Sequence, residues 1–411
     1  MELKKRISIY VDEGASHSFI WLIELFEIYG LFDIKFVKSE DIRSGILGKT
    51  DVLIISGGDS FAVAGSLEEA AALAIKSFIE NGGTYVGICA GAYLMLRSSK
   101  SPLHYFNMTS GKIANLSSRL PEAKALEYKY STPYGCSYIF HPVRGEISVT
   151  LCEFGLFQKE GVIKAPVYGG PFIKNDGSII PLSFFRDFTE STLFLVDNEI
   201  AASICRGSIV SGYKTLGKGI LFFFSTHMEH PDYPEANELF IRLITGDPLI
   251  SRMLLRGKDK TSLKNETPYR PSNNSSYKKF RKNLSLMRLV AAGLEKIPHF
   301  WKIGEKVWET EKIRFFTESI LKMEKKYGKM LSLSIAEKNA EELDSLSSIC
   351  LSLLKNIYDS LSHGKSSQQE AAFFINNIKD LYTIYCSCCF RYINENGTFT
   401  TKYNNHFNPT A

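Results

Sequence analysis

One stretch governs how this chain can fold: Thr84-Tyr-Val-Gly-Ile-Cys89-Ala-Gly-Ala-Tyr93-Leu-Met-Leu, an apolar run, a cysteine among small residues, then a helix-like apolar pattern. It reads as a strand, a sharp turn and a helix, with the turn residue in strained backbone at the carboxyl end of a sheet. Gly87, Ala90 and Gly91 let strand and helix approach closely, which presents the Cys89 side chain to a crevice. The start of the helix offers unpaired N–H groups and a partial positive charge, favouring a thiolate nucleophile. A lone cysteine in such a chain is more simply a small buried hydrophobe. Cys89 departs from that reading because a base and an orienting acid occur downstream.

Gly219-Ile-Leu-Phe-Phe-Phe-Ser-Thr-His227-Met-Glu229-His230-Pro231 is a continuous apolar run ending in His-x-Glu. It reads as a buried strand, and residues two apart at its end can share one side. His227 is then placed to take the Cys89 proton, and Glu229 to hold the imidazole in the required tautomer. Without the elbow, His-x-Glu would be chance polarity.

These two pieces together resemble the class I glutamine amidotransferase-like superfamily. Three more, Ile9-Tyr10-Val11-Asp12-Glu13-Gly14-Ala15-Ser16, Leu53-Ile54-Ile55-Ser56-Gly57-Gly58-Asp59 and Val167-Tyr168-Gly169-Gly170-Pro171, resemble a narrower branch. That branch is the N-terminal domain family of biotin-protein ligases, which also includes stand-alone bacterial proteins. The resemblance runs over residues 5 to 248 or so. It implies a doubly wound, mostly parallel α/β sheet of flavodoxin-like type, with Cys89, His227 and Glu229 as catalytic residues. It further implies an oxyanion hole from the N–H groups of Gly58 and Ala90, and a substrate pocket touching Gly57, Tyr93, Tyr168, Gly169 and Gly170. For Tyr168 and Gly169 a purely structural turn competes with the pocket role. The Gly57-Gly58 pair is no phosphate loop, since no lysine and Ser/Thr follow at the required spacing.

Two departures narrow the expectation. No Gly-Arg-Gly-Arg type loop for biotinyl-adenylate occurs, so biotin ligation is not expected of this chain itself. The superfamily's amidotransferases read G-x-C-x-G-x-Q at the elbow, whereas Tyr93 stands here at the last position, and glutamine is expected to be a poor substrate. The superfamily's His-Pro-Glu becomes His227-Met228-Glu229, which keeps both functional groups.

Along the chain, Arg6 to Val11, Ser16 to Tyr29 with Ser16 as cap, and Ile34 to Val37 read as a βαβ opening. Asp51 to Ile55 reads as a strand, and Ser66 with Glu69 as a capping box for a helix ending at Asn81-Gly82-Gly83. Between Ser98 and Ser208 the βα rhythm breaks, which suggests an insertion beside the sheet, with strands at Gly145 to Thr150 and Ile200 to Ile204. With 411 residues, 44% of them hydrophobic, the chain can bury two or three cores. The α/β part should end near residue 250, a polar linker should cover 251–279, and residues 280–411 should form an α-helical region. Helical patterns run from 280 to 297, 304 to 330, 332 to 362 and 367 to 393, and each half is expected to hold its own core.

Residues 251–330 carry 20 Lys and Arg against 8 Asp and Glu, while the whole chain is only +5. This basic stretch suits nucleic acid, anionic lipid or an acidic protein partner, but reads more simply as a solvated helix face, with nucleic acid disfavoured because no binding motif accompanies it. No run of about 18 apolar residues occurs, and the eight cysteines form no disulfide framework. A cytoplasmic protein without a membrane span is expected. Cys136, Cys152 and Cys205 read as buried near strands, and Cys386, Cys388 and Cys389 as part of a helix and too few for a zinc site. No cofactor or metal is called for. The functional expectation is a Cys-His-Glu hydrolase or amidotransferase-like enzyme acting on a small-molecule or peptide amide or acyl group through a thioester. The alternative is a catalytically silent scaffold that presents its C-terminal helices to a partner.

Overall fold

The structure is a computed structural model that describes residues 5–114, 142–152, 161–174, 176–246, 274–304 and 306–396. Cys136 and residues 251–273 of the expected linker lie outside the described residues, and residues 274–279 are the cap and first turn of a helix.

The first half alternates strands and helices: β1 (Ile7–Tyr10), α1 (Phe19–Tyr29), β2 (Ile34–Val37), α2 (Ser39–Arg43), β3 (Val52–Ile55), α3 (Ser60–Glu80), β4 (Thr84–Ile88) and α4 (Ala90–Met95). After it come β5 (Lys112–Ile113), β6 (Val143–Leu151), β7 (Val162–Val167), β8 (Ile173–Lys174), β9 (Ile180–Phe194), α5 (Asn198–Cys205), β10 (Ile209–Leu216), β11 (Gly219–Phe224) and α6 (Pro234–Thr245). All these strands form one mixed sheet with the main order β2-β1-β3-β4-β11-β10-β9-β6-β7. The pairs from β2 through β11 are parallel, and those from β11 through β7 antiparallel.

Apolar alternation explains why this sheet is covered on both faces. Ile7, Ile9, Val52, Ile54, Val86, Phe222 and Phe224 join one buried cluster with α1 and α6. Their neighbours Tyr10, Leu53, Ile55, Tyr85, Leu221 and Phe223 join a second with α3 and α4. Successive strand side chains point to opposite faces, so a strand buried on both sides must be apolar throughout.

Several local expectations are corrected. The irregular middle segment does not pack beside the sheet: β6, β7, β9 and β10 extend it, because their backbone groups find antiparallel partners along its edge beyond β11. Ile200 to Ile204 is helix, not strand. Ala201, Ala202, Ile204 and Cys205 give α5 a buried stripe, and alanine favours helix. Helix α1 is entered at Ser18 rather than Ser16. Helix α3 starts at Ser60, where the Asp59 carboxylate accepts from the N–H groups of Phe61 and Ala62. The expected Ser66/Glu69 start falls at a kink in that helix, where Glu68 sits at φ 60°.

The C-terminal part holds α7 (Ser275–Leu294), β12 (Phe300–Ile303), β13 (Lys306–Glu309), α8 (Thr310–Ser334), α9 (Glu337–Ser362) and α10 (Gln368–Asn396). The β12–β13 hairpin replaces the start of the helix expected from residue 304. Phe300 and Lys302 are exposed while Trp301, Val307 and Trp308 are buried, and Gly304 turns the chain at φ 60°. Aromatic and β-branched residues in period two favour strand pairing over helix. Cys386, Cys388 and Cys389 are buried on α10.

The same apolar cluster that covers one face of the sheet continues through α7, α8, α9 and α10. Phe19 of α1 meets Tyr382 at a ring-centroid distance of 5.6 Å and Phe316 at 6.0 Å. Glu27 accepts from both Lys326 Nζ and Tyr327 Oη at 2.6 Å. Lys379 Nζ donates to Asp12 O at 3.1 Å, and Asn394 Nδ2 to Phe32 O at 2.9 Å. The sequence expectation of two separate cores thus meets one shared apolar layer. No helix among the described residues is long and apolar enough to cross a membrane.

Candidate active site

Strand β1 lies between β2 and β3, so the connections leaving β1 and β3 diverge and open a crevice at their carboxyl ends. Two loops seal its base. Ser16 N donates to Gly57 O at 3.0 Å, Asp59 N donates to Gly14 O at 2.8 Å, and Ala15 faces Gly58 in an isolated bridge. A Cβ at Gly58 would come 2.0 Å from Gly14 O, so only glycine permits this approach.

Cys89 stands at the edge of this crevice, between β4 and α4. Its backbone has φ 50° and ψ −103°, a conformation rare for a residue with a side chain. The surroundings hold it there: Cys89 N donates to Phe224 O at 2.8 Å, and Cys89 O accepts from Ala92 N at 3.1 Å. Glycines let the elbow close, since a Cβ at Gly91 would sit 2.0 Å from Ile55 O and one at Gly87 2.5 Å from Gly91 O. Helix α4 has only six residues.

His227 and Glu229 follow β11. His227 Nδ1 lies 2.6 Å from Glu229 Oε1, and the ring lines the same cavity as Cys89, within electrostatic reach of its thiol. Both are deeply buried, with 3% and 0% of their surface exposed, and Cys89 shows 7%. The backbone is fixed on both sides. His227 N donates to Pro166 O at 2.8 Å, while Asn237 Nδ2 donates to Met228 O at 2.7 Å and His230 O at 2.9 Å. Trp21 meets the imidazole edge-on at 5.2 Å, and Tyr168 approaches at 5.6 Å. Burial opposes protonation of His227, but the Glu229 charge, the neighbouring Cys89 and the hydrogen bond to Glu229 outweigh it and raise the imidazole above its ordinary value.

These groups open onto a cavity of about 210 Å³. Of the residues expected from the sequence, Cys89, His227, Gly57, Gly58, Ala90, Tyr93, Tyr168 and Gly169 line it. Glu229 stands behind His227. Gly170 does not reach the cavity; a Cβ there would come 1.9 Å from Ser225 O, so its smallness serves the packing of the turn on β11. Gly57 has a similar duty toward the site, as a Cβ would press to 2.8 Å from His227 Cε1.

Part of the wall was not foreseen. Lys306, Val307, Glu311, Lys312 and Phe315, from the β12–β13 hairpin and the start of α8, complete the cavity. Phe315 stacks on His17 with centroids 5.3 Å apart and planes 11° from parallel. The partly buried Lys306 is close enough to interact electrostatically with Cys89 and Asp59, and burial lowers its amine below the ordinary value. Burial lowers Lys312 to about 8, with Lys306 adding repulsion, while its amine donates to Val307 O at 2.9 Å and contacts Glu309. Arg144 lies 5.6 Å over the Tyr168 ring. His17 is held well below its ordinary value by burial and then by Lys312 and Lys306, and its Nδ1 has no hydrogen-bond partner among the described residues. Lys306 follows Cys89 at long range and sits in no motif, so only the fold could reveal it.

Residues 7–101 match the family model described as biotin-protein ligase, N terminal. That match spans β1 through the elbow. No curated protein matches. Among solved structures, a β-galactosidase from Rahnella sp. R3 aligns at 11% identity and a TM-score of 0.33, over 58% of this chain and 31% of its own. One from Bacillus circulans sp. alkalophilus aligns at 12% identity and a TM-score of 0.32, over 59% and 30% respectively. The chain therefore spans about a third of the length of these structures, and its similarity to the biotin-protein ligase N-terminal family lies in its first 101 residues.

Proposed function

We propose that this chain is a cysteine-dependent hydrolase or acyltransferase of the class I glutamine amidotransferase-like superfamily, acting on an amide or related acyl group through a thioester. The observation that carries the reading is the grouping of Cys89 and His227 at the wall of one cavity, with Glu229 hydrogen-bonded to the imidazole from behind and the cysteine on a strained elbow.

In this mechanism the Cys89 proton already resides on His227, and the thiolate sulfur attacks the acyl carbon to form a C–S bond. The oxygen of the tetrahedral intermediate faces the N–H groups of Gly58 and Ala90. Neither donates to a backbone carbonyl among the described residues, and one such donor contributes about 2.7 to 4 kcal/mol to a transition state. Collapse breaks the bond to the leaving group, which departs with the proton from His227. Water then gives a proton to His227 and attacks the thioester, releasing the acid and restoring the thiolate beside the protonated imidazole. Glu229 holds Nδ1 throughout, so that Nε2 faces the sulfur.

The test is alkylation with iodoacetamide near neutral pH, followed by peptide mapping of all eight cysteines. Cys89 should react first, because burial raises the thiols of Cys205, Cys350, Cys386, Cys388 and Cys389. His227→Ala should remove the preference. If Cys89 is modified no faster than the partly exposed Cys152, the enzyme reading fails and a scaffold role replaces it.

A further inference from the structure

Three cations converge on the cavity, and their commitments differ. Lys312 is held by Val307 O and Glu309. Arg144 lies over Tyr168 and has further interactions. The Lys306 amine makes no hydrogen bond or ion pair within contact distance among the described residues, and it lines the same cavity as Cys89, brought there by a hairpin whose register pairs Ile303 with Lys306. Glu309 and Asp59 attract it through space, without an ion pair at contact distance. Asp59 is engaged as the cap of α3, and Glu311 is exposed on the first turn of α8. A partly buried ammonium without a close partner costs solvation free energy, and a bound anion would offset that cost.

We propose that Lys306 anchors an anionic group, carboxylate or phosphate, on the acyl compound that Cys89 attacks. This rests on the acyl-transfer reading above and gives it a substrate class: a small molecule with a negative charge near its reacting carbonyl. Its size follows from the cavity, since about 210 Å³ falls below the ~300 Å³ at which pockets for drug-sized ligands begin. The hairpin is then a specificity element, and the C-terminal part of the chain contributes directly to substrate recognition. Neutral His17, with Nδ1 unpartnered at the same wall, supplies a hydrogen-bonding group beside the charge.

Two alkylating reagents of nearly equal size separate charge from reactivity. Iodoacetate and iodoacetamide are reacted with Cys89, and the ratio of their rates is compared with that of glutathione. The ratio should exceed the glutathione value by about tenfold, the lower end of what a focused cationic cleft does for an arriving anion. Lys306→Gln should bring it back to the glutathione value, and Lys302→Gln, an exposed neighbour on the same hairpin, should not. Reading a ratio within each variant cancels any general change in thiol reactivity. A ratio equal to glutathione in the unmodified protein overturns the anion anchor while leaving the acyl-transfer reading intact. Should Cys89 react with neither reagent, calorimetric titration of Cys89→Ala with malonate and with inorganic phosphate decides the matter. Lys306-dependent binding would keep an anion site without catalysis, and the tighter probe would name carboxylate or phosphate. Absence of binding by both would end the proposal.

Discussion

His227 and Glu229 meet at 2.6 Å with almost no solvent contact, and their pairing makes the stability of the protein depend on pH. The folded-state value of His227 is raised, so its contribution is fully present below the unfolded value near 6.5 and is lost as pH rises through the folded value. The groups facing the ring are Glu229, Cys89, Trp21 and Tyr168, with His17 and His230 nearby. Urea unfolding of the protein and of His227→Gln should show a stability difference that shrinks above pH 6.5, by at most about 1.4 kcal/mol per pH unit for one proton. Glu229→Gln should remove most of that slope. A difference that stays flat to pH 9 would mean the imidazole is neutral in the folded protein.

The elbow makes a second demand that can be measured apart from chemistry. Gly91→Ala would push a methyl group to 2.0 Å from the Ile55 carbonyl, and backbone there has little room to move. A loss of about 1–3 kcal/mol or more is expected, the range for overfilling a packed site. Gly48→Ala is the control, because nothing lies within 4 Å of its Cβ position. Equal melting temperatures for the two variants would show that α4 can shift away from β3, and the tight approach of strand and helix would lose its importance.

This part of the molecule could be read from the sequence because its signals are local. Small residues flanking Cys89 announce the elbow, and a Phe-rich run followed by His-x-Glu announces the strand and its end. Lys306 was hidden for the opposite reason. Its place is set by a hairpin that returns to the cavity wall, and the alternation of Phe300, Trp301, Lys302 and Ile303 was submerged in the long helical pattern that follows. The extension of the sheet by β6, β7, β9 and β10 was likewise obscured, since pairing partners far apart in sequence leave no periodic mark.

Glutamine should be a poor substrate. Tyr93 lines the cavity and is 8% exposed, standing where the resembled amidotransferases carry a glutamine side chain. Lys306 and Arg144 add a second obstacle, because the α-ammonium of free glutamine would enter beside like charges. Incubation with glutamine should release no ammonia above the Cys89→Ala background. Clear Cys89-dependent release would show that neither the aromatic nor the cations exclude the amino acid.

The last prediction concerns whether residues 1–250 can stand alone. Sequence composition suggests that they can, since strands, elbow and His-x-Glu all precede the polar stretch, but the packing gives the opposite expectation. Removing the C-terminal part would uncover Phe19 and Phe32, which meet Phe316, Tyr382 and Phe390, and would strip Lys306 and Phe315 from the cavity. Exposing a buried Phe or Leu costs about 1.5–3 kcal/mol, so a handful of them matches the about 5–15 kcal/mol that holds a typical domain together. Trypsin should cut within the lysine- and arginine-bearing stretch 258–270, yet the two pieces should stay associated on gel filtration and keep Cys89 reactive. Expressed separately, residues 1–250 should aggregate or unfold without cooperativity. A soluble fragment with a sharp unfolding transition and an unchanged iodoacetamide rate at Cys89 would overturn this expectation. The C-terminal helices would then form a detachable module, and the case for a partner-docking role would pass to them.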